Sequence, residues 1–77
     1  MTPEEIEQRL HEKFPDCDAL VEDLTGGMNH FEVRIASKAF AGKSRIDQQR
    51  LVMDAFAPEL KTGEVHALTI KTVIKNG

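Results

Sequence analysis

Residues 30–37, His30-Phe31-Glu32-Val33-Arg34-Ile35-Ala36-Ser37, alternate cleanly: Phe31, Val33 and Ile35 fall on one side, His30, Glu32 and Arg34 on the other. That period of two marks a strand with one face on a core and the other toward water. Just upstream, Gly26-Gly27 supplies the backbone freedom of a tight connection. Residues 17–25, with Ala19, Leu20, Val21 and Leu24 in imperfect alternation, form the strand before it. Two strands across a short glycine loop predict an antiparallel hairpin.

Working outward, Thr2, Pro3 and Glu5 have the spacing of an N-cap, a first-turn proline and a capping box. Ile6, Leu10 and Phe14 then recur every four residues as one apolar stripe, and Pro15 stops the helix. Downstream, 38–43 reads as a loop containing Gly42, and Ser44 caps a second helix over 44–57. Its apolar residues Ile46, Leu51, Val52, Met53, Ala55 and Phe56 cover most of the circumference, which predicts packing on more than one side. Pro58 ends it or opens a short turn through Leu60, closed by Thr62-Gly63. The last strand spans 65–74, with His66, Leu68, Ile70, Thr72 and Ile74 on one face and Ala67, Thr69, Lys71 and Val73 opposite. The order α-β-β-α-α-β predicts an α+β domain over 1–77, three strands covered by helices on one face.

The chain has 77 residues, with ten basic and thirteen acidic side chains and a formal charge of −3. Its length suits one small domain, burying about 60% of the surface the unfolded chain exposes. The single cysteine, Cys17, cannot form an internal disulfide and fits a reducing, cytoplasmic setting; opening an apolar stretch, it reads as a small buried hydrophobe. No apolar run approaches the length of a membrane span, and the acidic start Met1-Thr2-Pro3-Glu4-Glu5 differs from a signal peptide. Enzyme signatures are missing: Gly26-Gly27 lacks the Lys-Ser/Thr of a phosphate loop, and no G-x-S-x-G occurs. A non-enzymatic role is expected.

Charge is unevenly spread. Arg9 and Lys13 face eight carboxylates in residues 1–25, whereas Arg34, Lys38, Lys43, Arg45 and Arg50 face only Asp47 between positions 34 and 50. That stretch is either a solvated surface or a docking face for something anionic. Of the three histidines, His11 lies on the first helix, expected exposed, while His30 and His66 begin the second and third strands. Each is either a hydrogen-bonded structural residue or a metal ligand through neutral imidazole. They cannot complete a four-ligand site without donors from a partner.

Phe40-Ala41-Gly42-Lys43-Ser44-Arg45, continuing through Gln48-Gln49-Arg50-Leu51-Val52, resembles the BolA family, as do 21–27 (first strand and glycine loop) and 65–72 (histidine-led last strand). The resemblance implies a class II KH-like fold. It also implies a monothiol glutaredoxin as partner and a shared [2Fe–2S] cluster, ligated on the partner's side by a cysteine and glutathione. On this side it implies His66 and a second ligand from the loop between the first two strands. There the run is Gly26-Gly27-Met28-Asn29-His30; Met28 is a poor ligand for ferric iron, and His30 before Phe31 is the matching candidate. Gln49 stands where many relatives carry histidine. Imidazole ligation of one iron raises the potential and makes that end proton-sensitive.

The resemblance implies iron–sulfur trafficking or iron homeostasis as the function, with the apo form a monomer or weak homodimer. The alternative is a DNA-binding transcription regulator, its helix-turn-helix-like segment offering Lys43 and Arg45 to phosphates and Arg50 to a phosphate or base edge. Overall acidity and the shortness of the segment after Pro58 weigh against it. No G-x-x-G lies between the two helices, which disfavours KH-type RNA binding.

Overall fold

Thr2 and Glu5 start the first helix by reciprocal bonds: the Glu5 amide donates to the Thr2 hydroxyl (3.2 Å) and the Thr2 amide to the Glu5 carboxylate (3.0 Å). The computed structural model describes residues 1–27 and 30–75; Met28 and Asn29 of the glycine loop lie outside the described residues, as do Asn76 and Gly77. The elements are α1 (Pro3–Lys13), β1 (Asp18–Asp23), β2 (His30–Ser37), α2 (Arg45–Asp54), α3 (Ala57–Thr62) and β3 (Ala67–Ile74), the predicted order. The sheet runs β1-β2-β3, with β1 antiparallel and β3 parallel to β2.

Ile6 and Leu10 of α1 and Phe31 and Val33 of β2 are fully buried, and Ile35 is nearly so. Across the same sheet face Val33 pairs with Val21 on one side and Ile70 on the other. The opposite face carries Leu20, Glu32, Arg34, Lys71 and Val73 and is open. Helices therefore cover a single sheet face, and one core fills the space between. Phe31, Phe40 and Phe56 are each fully buried, and each such side chain contributes about 2–3 kcal/mol by leaving water.

Five boundaries or faces depart from the sequence reading. β1 stops at Asp23 because its carboxylate accepts the amides of Thr25 (3.3 Å) and Gly26 (3.0 Å), and Gly26 turns left-handed at φ 76°. The predicted loop 38–43 opens with a 3-10 turn, Lys38–Phe40: the Ser37 hydroxyl accepts the Ala39 amide, and the Phe40 ring lies 5.4 Å from that of Phe14. The second helix ends at Asp54, and Pro58 belongs to the first turn of a separate α3, which ends on Gly63 at φ 83°. α2 packs on one side only, since Gln48 and Val52 are buried while Ile46 and Met53 are 65% and 41% exposed. β3 begins at Ala67: Val65 is fully buried, and its amide donates to the Glu59 carbonyl (3.2 Å) at α3.

Candidate functional site

Parallel pairing brings the starts of β2 and β3 to the same end of the sheet. His30, the first residue of β2, is in register with Ala67, the first of β3. His66 immediately precedes Ala67, at the end of the connection from α3, and is exposed. The two imidazoles stack: their centroids lie 5.8 Å apart and their planes 6° from parallel. Stacked aromatic pairs at this separation are mutually attractive, and neutral imidazoles leave one ring nitrogen each to accept a proton or bind a metal. His30 is half-buried and His66 exposed, so the pair opens to solvent. Among the described residues no group of three or more His, Cys, Asp or Glu side chains could hold a metal ion. These imidazoles offer two nitrogen positions that could ligate a metal.

The five cations of the predicted docking face divide. Arg34 lies on the open sheet face and donates to Glu32 (3.1 Å), which also binds Lys71 (3.1 Å). Lys71 and Arg34 together hold the Glu32 carboxyl below the usual carboxylate range. Lys38, Lys43, Arg45 and Arg50 lie along the 3-10 turn, the following loop and α2, all exposed. None of these four has an ion pair among the described residues. They are four exposed positive charges on a chain of charge −3, with the exposed Asp47 among them on α2.

Residues 4–76 match the family model described as BolA-like protein. The chain belongs to the BolA family. It is 33% identical to the uncharacterized protein RP812 of Rickettsia prowazekii, over 95% of this chain and 94% of that protein. It is also 38% identical to Protein BOLA2 of Arabidopsis thaliana, over 92% of this chain and 75% of that one. Among solved structures, the BolA domain of SufE1 from Arabidopsis thaliana superposes with a TM-score of 0.85 at 35% identity, covering 94% of this chain and 90% of that one.

Within this BolA-family chain, the residue that the sequence reading missed is Gln48. Its amide nitrogen donates to the carbonyls of Phe40 (3.3 Å) and Lys43 (2.9 Å), and its oxygen accepts the Thr72 hydroxyl (2.5 Å). Even on a helix read as packed on more than one side, a glutamine carries no sequence signal for burial; the only hint is its place four residues before Val52 on the same face. Cys17 is 4% exposed, as expected, and its Sγ lies 3.5 Å from His11 Nδ1. Burial raises the Cys17 thiol above its ordinary value, helped by the neighbouring carboxylates of Asp16 and Asp18. A protonated, enclosed thiol is a poor nucleophile and a poor metal ligand. No helix among the described residues is long and apolar enough to cross a membrane.

Proposed function

We propose that this BolA-family protein is a non-enzymatic, cytoplasmic adaptor that docks a monothiol glutaredoxin and helps to hold, transfer or regulate a [2Fe–2S] cluster. The observation that carries the reading is the meeting of His30 and His66, two histidines distant in sequence whose rings stack at an accessible end of the sheet. A [2Fe–2S] centre takes four ligands, two of which are imidazoles in mixed sites. Two imidazoles with no third donor grouped with them among the described residues fit a cluster whose thiolates belong to a partner. Lys38, Lys43, Arg45 and Arg50, which have no ion pair among the described residues, suit docking to an anionic surface, since complementary charge raises the encounter rate.

The test is to mix the protein with a cluster-loaded monothiol glutaredoxin and follow visible absorption and circular dichroism. The spectra are expected to change with the natural protein and to stay those of the glutaredoxin alone with His66→Ala. A full spectral change with His66→Ala sinks the ligand assignment. Duplex DNA is the less favoured partner, because α3 has only six residues and no side-chain cap, a poor recognition helix. Salt-dependent retardation of a duplex, with a log–log slope of about −0.9 per phosphate contacted, would favour that partner instead.

A further inference from the structure

Between α2 and β3 lies a cavity of about 310 Å³ lined by Arg45, Gln49, Ile70, Lys71 and Thr72. It differs in charge from three other cavities of the molecule. Those hold Asp18 beside Arg34, Glu5 and Glu12 beside Arg9, and Glu4 and Glu7 beside His11. The α2–β3 cavity is lined by two cationic residues and no acidic one, with the Lys71 ammonium drawn to Glu32 (3.1 Å) on the open sheet face.

Arg45, the first residue of α2, has no ion pair among the described residues. Lys71 is 60% exposed at its side chain and shares Glu32 with Arg34. When Lys71 turns from Glu32 to a ligand, Arg34 still neutralises the carboxylate, so recruiting this lysine strands no charge. The walls are fixed beforehand. Gln48, adjacent to Gln49, joins α2 to β3 through the Thr72 hydroxyl and to the preceding loop through the Lys43 carbonyl. A cleft held open by its own hydrogen bonds spends little ordering energy on binding. Ile70, 8% exposed, adds an apolar wall.

We propose that this cavity binds a small phosphorylated molecule, with Arg45 presenting its guanidinium fork to phosphate oxygens, Lys71 supplying a second positive charge and Gln49 a neutral amide donor. A planar guanidinium matches two phosphate oxygens at once, and charge-assisted bonds of this kind are about twice as strong as neutral ones. The volume exceeds that of a phosphate alone, and Ile70 gives the remainder of the ligand an apolar contact. The site stands apart from the histidine pair and does not depend on the cluster reading.

The test titrates isotopically labelled protein with inorganic pyrophosphate and follows backbone amide shifts, using sodium chloride at matched ionic strength as reference. Saturable shifts are expected at residues 44–49 and 70–72. Arg45→Gln and Lys71→Gln are each expected to weaken binding about fivefold or more, with thermal melts confirming that both variants fold. Arg50→Gln, a cation of α2 outside the cavity, is expected to bind as the natural protein does, and so is His66→Ala. The proposal is overturned if the shifts follow ionic strength alone, centre on Lys38 and Arg50, or persist with unchanged affinity in Arg45→Gln.

Discussion

Replacing Gln48 by alanine removes the side chain that joins the 3-10 turn, the start of α2 and the middle of β3. Three hydrogen bonds disappear, to the Phe40 and Lys43 carbonyls and from the Thr72 hydroxyl. Each contributes about 1 kcal/mol net, and the Phe40 carbonyl keeps one donor, the Lys43 amide at 3.3 Å. The Gln48–Phe40 bond is buried and the Gln48–Lys43 bond only partly so, so water can replace the lost amide at Lys43 more readily than at Phe40. The expected loss is about 3 kcal/mol, out of the roughly 4–12 kcal/mol that a domain of this length possesses. Urea unfolding followed by far-ultraviolet circular dichroism measures it, as a lower midpoint with an unchanged slope. Thr72→Val removes one of the three partners and is expected to cost about 1 kcal/mol, with a coupling to Gln48→Ala of similar size in a double-mutant cycle. If Gln48→Ala costs less than about 1 kcal/mol, or is additive with Thr72→Val, the three bonds do not hold these elements together and the reasoning fails.

Three further outcomes follow from local geometry. The Asp16 carboxylate accepts the Lys38 amide and the Ser37 hydroxyl, both at 2.8 Å, and these bonds hold its carboxyl below the usual range. A depressed folded-state value stabilises above the unfolded value and is lost as the pH falls through the folded one. Asp16→Asn should therefore lower the urea midpoint at neutral pH, with the difference shrinking below about pH 4; a pH-independent difference would refute the assignment. Gly63 sits at φ 83° with nothing within 4 Å of an added Cβ, so Gly63→Ala is expected to cost about 1 kcal/mol from backbone strain alone. That lowers the melting temperature by about 4–8 °C, and an unchanged melt would contradict it. Cys17, enclosed and protonated, should react with iodoacetamide only after unfolding in urea; equal rates in the native protein would show the thiol to be open.

Much of the architecture is legible from local pattern. The Ile6-Leu10-Phe14 stripe, the alternation through Phe31, Val33 and Ile35, and the Thr2–Glu5 capping pair each act over a few residues, and each appears as read. What is not legible depends on neighbours far along the chain. The apolar residues of α2 suggest a helix packed on more than one side, yet the single sheet face offers only one side to pack on, which leaves Ile46 and Met53 outside and draws Gln48 in. Val65 alternates like a strand residue but belongs to α3 through the Glu59 carbonyl. For the site, His30 and His66 were readable as strand-leading histidines. Their contact follows from β3 lying parallel to β2, a pairing that side-chain periodicity does not encode. In the sequence Lys71 stands only as one residue of the last strand's second face, with Ala67, Thr69 and Val73. It lines the same cavity as Arg45 because α2 packs beside β3, an arrangement that the Gln48–Thr72 bond bridges.

Parallel pairing of β2 with β3 makes the histidine contact a long-range one. The connection between those strands carries a 3-10 turn and two helices, and such a long loop has to close before the first β2–β3 bond can form. Peeling β3 from the edge of the sheet would separate His66 from His30 without disturbing the β1–β2 hairpin. An ion or cluster bridging both rings would therefore bind only the closed form and stabilise it by about 2.7 kcal/mol at a free concentration one hundred times its Kd. Strand docking and occupancy of the imidazole pair become a single linked equilibrium. A substitution that loosens β3, even one distant from both rings, would weaken a bridging ligand tenfold for about every 1.4 kcal/mol by which it destabilises the closed form relative to a dominant open one. Conversely, the ligand would slow hydrogen exchange along β3 while leaving the amides of β1 nearly unchanged.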